Sequence, residues 1–411
     1  MSITAPQAPQ DRPIVVQKYG GSSLATPEKI EAVARRIAET VAAGYRVVAV
    51  VSAMGKTTDG LLAQARALSP NPAPRELDML LSTGERVSTA LLGIALAAIG
   101  HEAVSLTGSQ SGIITNTRHN RARIVEIRPF RVQDLLDDGK IVIIAGYQGV
   151  SYSREITTLG RGGTDTTAVA MAAALDAHHC EICSDVDGVY TADPRVAPDA
   201  TRLESLSHEA MIALAREGSK VLNQDCVEYA ARHGVAIFAK ATASPRDDSG
   251  TVVRTNPAPM LTILTAIAHR DRILEVTAAA GSDVAAMYEA LVSANAMPHA
   301  LSAYPGQPIM ALIPLENVHR RSVLESTLAT ALPGGFTIRD DRGTVTLVGP
   351  GLGEAPEILS RAFKIARELC GSSVHFELGA LTLRMLVDHE AVAGLVGALH
   401  KAFLGPKEPL S

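Results

Sequence analysis

The sequence predicts an α/β protein, a mostly parallel sheet with helices on both faces, followed by a smaller α+β region. Short apolar runs alternate with longer amphipathic stretches up to about residue 255. Glycine clusters fall where those runs end. Residues 260–411 then lay one β-α-β-β-α pattern over a second copy of itself.

The first strand is "PIVVQK", ending at "YGGSS". The helix "TPEKIEAVARRIAETV" follows, with Thr26 as N-cap, Pro27 in the first turn and Ile30, Val33, Ala34, Ile37 and Val41 on one face. "RVVAVVSA" is apolar through its centre, as a strand buried on both faces should be. "EAVSLTG", "KIVIIAGYQG", "CEICSDV" and "VAIFAKAT" supply further strands, each separated from the next by helical material. In such sheets ligands bind beyond the carboxyl ends of the strands. The loops "KYGGSS", "SAMGKTTDG", "GYQG", "TTLGRGG" and "SDVDGVYTADPR" all fall there, which implies a common ligand. None matches the P-loop pattern, and no GxGxxG opens the first βα unit. The later "GPGLG" reads as a strand-to-helix turn.

Composition excludes several classes. At 411 residues the chain has room for two or three domains. It is 46% hydrophobic, yet no apolar run approaches the ~20 residues of a membrane span. The opening "MSITAPQAPQDRP" lacks a basic and an apolar region, so residues 1–13 are expected to be a disordered tail and the cytoplasm is the expected location. A net charge of −5 without a dense Lys/Arg block, with 3% aromatics and no Trp, argues against nucleic acid and anionic membrane. Four cysteines are too few for a disulfide framework. The "CEIC" pair lies on a strand, which aims Cys180 and Ile182 to one face and Cys183 to the other. No metal site is expected.

"TTLGRGGTDTTAVAMAAAL" concentrates the chemistry. Glycines let an anion approach backbone N–H groups at a helix start, with Arg161 as charge partner. The other reading is a glycine-rich turn capped by Thr164 or Asp165.

Five segments in order, "VVQKYGGSSLAT", "VVSAMGKTTDGLL", "DMLLSTGERVSTALL", the stretch just quoted and "CEICSDVDGVYTADPRV", resemble successive signatures of the aspartokinases. The resemblance is close over residues 14 to about 220. It implies the three-layer α/β/α amino-acid kinase fold over 14–253 and transfer of the ATP γ-phosphoryl, with Mg²⁺, to the β-carboxylate of L-aspartate. That carboxylate is already ionised at neutral pH, so no general base is required. The barrier lies in bringing an anion to a polyanion and stabilising the transferring charge.

Matched to those signatures, Lys18 is similar to a lysine on the transferring phosphates, and Gly20, Gly21 and Ser22 to backbone donors. Asp165 resembles the carboxylate that orients the catalytic lysines, and Lys220 the second phosphate-facing lysine. Ser184, Asp185, Tyr190 and Arg195 match nucleotide-contacting positions. For aspartate, the resemblance implies Arg161 on the α-carboxylate, Glu85 on the α-ammonium, and Ser52 and Thr58 on the β-carboxylate. Lys18 has no acidic neighbour along the chain, Glu85 also suits an ordinary first helical turn, and Arg195 also suits a local pair with Asp193. His119 and His208 are read as structural. After Lys220 the chain departs from the family: Asn223-Gln224-Asp225-Cys226 replaces His-Pro-Arg-Ser, and "FAKATAS" an arginine-serine-serine strand, which puts the rate in doubt.

The C-terminal repeat, 261–411 after a linker at 254–260, resembles tandem ferredoxin-like ACT modules. These imply a homodimer or higher oligomer, since exposed sheet edges favour strand pairing. The stretches "AAAGSD" and "HALSAYPG" lack the Gln-Asn amide pair and the loop proline of family effector sites, so weak feedback inhibition is expected. The alternatives are a kinase for a related amino acid and an amino-acid sensor without turnover.

Overall fold

The computed structural model describes residues 12–257, 263–318 and 320–405; residues 1–11 of the expected tail and 258–260 of the expected linker lie outside them. The chain divides into two compact units, residues 1–189, 202–212 and 220–259 in the first and 190–201, 213–219 and 260–411 in the second. Two short segments before residue 254 therefore pack with the C-terminal unit.

In the first unit the strands are β1 (Ile14–Tyr19), β2 (Arg46–Val51), β3 (Ala103–Leu106), β4 (Ile113–Thr115), β5 (Ile124–Ile127), β6 (Ile141–Ala145), β7 (Gln148–Ser151), β8 (Ile156–Thr158), β9 (His179–Ser184), β10 (Ser205–Leu206), β11 (Ile237–Ala241) and β12 (Thr251–Val253). The helices are α1 (Pro27–Ala42), α2 (Thr57–Leu68), α3 (Pro74–Leu81), α4 (Thr83–Ala98), α5 (Phe130–Asp137), α6 (Gly163–Ala174), α7 (His208–Arg216, whose last turn counts with the second unit) and α8 (Gln224–His233). The main sheet runs β10-β12-β11-β9-β1-β2-β6-β3 and is parallel except where β11 meets β12.

α1 forms as its capping and periodicity dictate: the Thr26 side chain accepts from the Lys29 N–H, and Ile30, Val33 and Ile37 are buried against Tyr19, Val47 and Leu92. α4 shares that face through Leu92 and Leu96, while α6 packs on β1, β9 and α8. β1 pairs β9 in parallel with Lys18 beside Ile182 and Gln17 beside Glu181. The pleat therefore sends Lys18 and Cys180 to one face, and Gln17, Tyr19 and Cys183 to the other. The two cysteines of "CEIC" do not converge.

One strand reading needs correction. "KIVIIAGYQG" is not a single strand: β6 ends at Ala145, and Tyr147, with φ 68°, turns the chain into β7. β7 belongs to a separate sheet, β5-β4-β7-β8, that the apolar pattern did not announce. Its strands are three or four residues long, too short for alternation to register.

The second unit contains β13 (Ala266–Ala278), α9 (Val284–Ser293), β14 (Ala300–Ser302), β15 (Ile309–Pro314), α10 (Arg321–Ala331), β16 (Phe336–Val348), α11 (Pro356–Cys370), β17 (His375–Leu378), β18 (Thr382–Asp388) and α12 (Val392–Phe403). This is β-α-β-β-α twice, and the sheet order β14-β15-β13-β16-β18-β17 places the repeats symmetrically about the antiparallel β13–β16 pair. Each repeat has its own apolar core, one around Met287, Leu291 and Leu324, the other around Leu347, Met385 and Leu395. The "GPGLG" segment does turn β16 into α11.

Candidate active site

The carboxyl ends of β1, β2, β6, β9 and β11 form one rim, and backbone hydrogen bonds stitch its loops together. Ser52 N–H donates to Tyr19 O (3.0 Å), Gly55 N–H to Gly21 O (2.9 Å), Gly146 N–H to Val51 O (3.0 Å) and Thr242 N–H to Ser184 O (2.8 Å). Glycine is required by this crowding. A Cβ on Gly21 would lie 2.8 Å from Ala53 O and 3.0 Å from Gly55 O, both backbone atoms.

Lys18 ends β1 on this rim, and its Nζ lies 2.7 Å from Asp165 Oδ1, with side chains only 12% and 15% exposed. The acid absent from its sequence neighbourhood is supplied by the first turn of α6. Burial opposes the Lys18 ammonium, but the Asp165 charge and hydrogen bond outweigh it and the pKa is raised. Cys226 from α8 and Cys180 from β9 lie on this side, fully buried, their thiols pushed well up by burial and then by the Asp165 charge. Neither Thr164 nor Asp165 caps α6. Gly162 occupies the cap position at φ 74°, and a Cβ there would run into the Asn223 side chain at 2.2 Å. Asn223 itself caps α8 by accepting from Asp225 N–H at 2.9 Å.

Glu85 lies in the first turn of α4 and is 3% exposed. Its Oε1 accepts from Ala53 N–H at 3.2 Å, while Oε2 is buried without a hydrogen-bond partner among the described residues. Burial pushes this carboxyl up to about 7, only partly offset by backbone N–H groups. A buried acceptor left open is costly unless a donor arrives. Ser52 follows β2 and is half-buried, as is Thr58 in the first turn of α2.

The remaining candidates are more dispersed. Gly20 places its Cβ position 3.4 Å from Lys18 Nζ, and Gly21 and Ser22 begin the short 3-10 turn Gly21–Leu24. Arg161 is exposed in the turn closed by Gly163 N–H on Gly160 O at 3.0 Å. Ser184 ends β9 with its Oγ accepting from Val186 N–H (3.2 Å), and Asp185 beside it is exposed. Lys220 is exposed between α7 and α8. Tyr190 and Arg195 lie in the segment that packs with the second unit, and Arg195 grips Asp193 with Nε at 3.0 Å and Nη2 at 2.6 Å. His208 is buried with Nε2 3.0 Å from Val235 O, and His119 Nδ1 lies 2.6 Å from Asp78.

The sequence reading missed three residues near these groups. Asn223 appeared only as a departure from the family, and Tyr147 carried no signal of its left-handed backbone. Lys240, in the altered "FAKATAS" strand, is 2% exposed and holds Glu181 at 3.1 Å, so its charge serves the interior.

The amino acid kinase family model matches residues 13–239. Aspartokinases of Mycolicibacterium smegmatis and Corynebacterium glutamicum are each 42% identical to this chain, over 95% of it and 96% of their own length. E. coli aspartokinase III, solved with aspartate and ADP, superposes with a TM-score of 0.81 over 94% of this chain and 99% of its own, at 23% identity.

Proposed function

The chain belongs to the aspartokinase family, and we propose on that footing that it moves the γ-phosphoryl of ATP to the β-carboxylate of L-aspartate. The observation that carries this reading is the Lys18–Asp165 pair at 2.7 Å on the glycine rim. A buried ammonium held by a carboxylate is a fixed positive charge, pre-oriented before any phosphate arrives. Gly21 and Ser22 are assigned as backbone donors beside it, together with Gly20, whose N–H donates to Cys183 O at 3.4 Å, and the exposed Lys220 is assigned as the second cation.

On the acceptor side, the open Glu85 Oε2 suits an α-ammonium, which would satisfy the buried acceptor and draw the carboxyl into its charged form. Arg161 is free to fork onto the α-carboxylate, leaving the β-carboxylate for Ser52 and Thr58. Ser184, Asp185 and Tyr190 are assigned to the nucleotide. Arg195 is assigned with them, its Nε and Nη2 held by Asp193.

The rim's donors are cations and N–H groups, which fit phosphate. Among the described residues no trio of His, Cys, Asp or Glu is grouped to hold a metal ion, so Mg²⁺ fits as a counter-ion carried by the triphosphate, neutralising part of its charge. The catalytic domain is assigned to 14–253 and the paired ACT-like modules to 261–411, with the modules pairing between chains.

Arg161→Lys tests the division of the site. Lysine cannot make the two-pronged contact, so the aspartate KM should rise far more than the ATP KM in a coupled ADP-release assay across several amino acids. A change confined to the ATP KM would move Arg161 to the nucleotide. In the C-terminal unit Gly281 and Asp283 close the turn into α9, with Asp283 Oδ1 taken by Ala285 N–H at 2.8 Å. With that acid engaged and Ala300, Leu301 and Ala303 standing in the stretch matched to the family's amide pair, inhibition by lysine, threonine or both is proposed to be weak. Strong inhibition of turnover at millimolar effector would overturn that part.

A further inference from the structure

Asp78 is a carboxylate in an unusual place. It lies on α3, is 0% exposed, and has no cation from Lys or Arg paired with it among the described residues. Its oxygens are instead saturated by one neighbourhood. Oδ1 accepts from Thr158 Oγ1 at 2.5 Å and from Asn120 N–H at 3.0 Å, and Oδ2 lies 2.6 Å from His119 Nδ1. A carboxylate buried this deeply depends on its hydrogen bonds, and a fully satisfied buried network of this kind holds its members to one geometry.

Those partners lead to Arg161. Thr158 ends β8, two residues before Gly160. Thr158 O also accepts from Ala122 N–H at 2.9 Å, so the 116–123 segment and β8 are tied twice. Asn120 adopts a left-handed backbone at φ 63°, and its carbonyl oxygen lies 3.2 Å from where a Cβ on Gly160 would stand. Gly160, at φ 84°, opens the turn that carries Arg161. The far side of the turn is held by Asn223 against Gly162. The exposed guanidinium thus projects from a turn fixed at both ends, and Asp78 fixes one of them.

We propose that Asp78 is a positioning residue for the acceptor substrate: through Thr158 and Asn120 it sets the Gly160–Gly163 turn so that Arg161 meets the α-carboxylate. This rests on the assignment of Arg161 above. A misplacement of about 1 Å in such a group is enough to cost up to ~100-fold.

The test compares Asp78→Asn and Thr158→Val, alone and combined with Arg161→Ala, by KM for aspartate, KM for ATP, kcat and melting temperature. Thr158→Val keeps the side-chain shape and removes one hydrogen bond, so it serves if Asp78→Asn does not fold. Each is expected to raise the aspartate KM by roughly tenfold while the ATP KM stays within about twofold, and to add nothing in the Arg161→Ala background. Equal rises in both KM values, an unchanged aspartate KM, or effects that multiply with Arg161→Ala would overturn the inference. If Arg161→Ala alone left the aspartate KM unchanged, the site assignment itself would fall, and this inference with it.

Discussion

Glycines turn the chain in both units, but their surroundings differ. On the rim of the first unit a Cβ on Gly21, Gly84, Gly162 or Gly163 would come within 3.0 Å of another loop or helix. In four turns between elements of the second unit, Gly281, Gly306, Gly335 and Gly351 have positive φ and nothing within 4 Å of a Cβ. The latter glycines supply a backbone conformation only. The former let separate segments approach until their N–H groups and side chains share one small volume. On the rim the crowded glycines surround the buried Lys18–Asp165 pair, whereas the turn glycines surround no such pair among the described residues.

The largest effect that sharpens this comparison is at the pair itself. Lys18→Ala and Asp165→Asn are each expected to lower kcat by orders of magnitude, with circular dichroism near that of the parent. Near-parental turnover in either would remove the pair from the chemistry.

The next effect sets one kind of glycine against the other. Gly21→Ala forces a methyl onto the carbonyl oxygens of Ala53 and Gly55, and should cost about 1–3 kcal/mol and most of the activity. Gly351→Ala meets only backbone strain, at φ 73°, and should cost about 1 kcal/mol and leave kcat unchanged. Equal losses of activity in the two variants would break the distinction.

The smallest effect is a pH dependence. The Glu85 carboxyl is raised from 4.5 to about 7, so the folded protein holds its proton more tightly than the unfolded chain. Its contribution to stability is therefore present below about pH 4.5 and lost as pH rises through 7, by on the order of 3 kcal/mol. Glu85→Gln should flatten that stretch of the unfolding curve between pH 5 and 8 in urea titrations. Saturating aspartate should flatten it as well if the ammonium pairs with Glu85. An unchanged pH slope in Glu85→Gln would show that the group is not the source.

The sequence by itself determined the class of fold and the position of the rim. Uninterrupted apolar runs such as Val47–Val51 bury on both faces whatever surrounds them, and Thr26-Pro27 starts a helix by purely local geometry. The glycine loops likewise follow from the strand ends that precede them. In the C-terminal region the pattern repeats plainly enough for both β-α-β-β-α halves to be read. Tertiary structure alone decided which side chains meet. The Lys18–Asp165 pair joins residues 147 positions apart in the chain, and Asp78 reaches Thr158 across 80. Periodicity carries no information about such encounters, because it records which face of an element is buried and not what stands opposite. The open oxygen of Glu85 shows the same limit: first-turn glutamates are common at helix starts, and only tertiary packing, in which Gly84 stands close against Ala53, leaves this one 3% exposed.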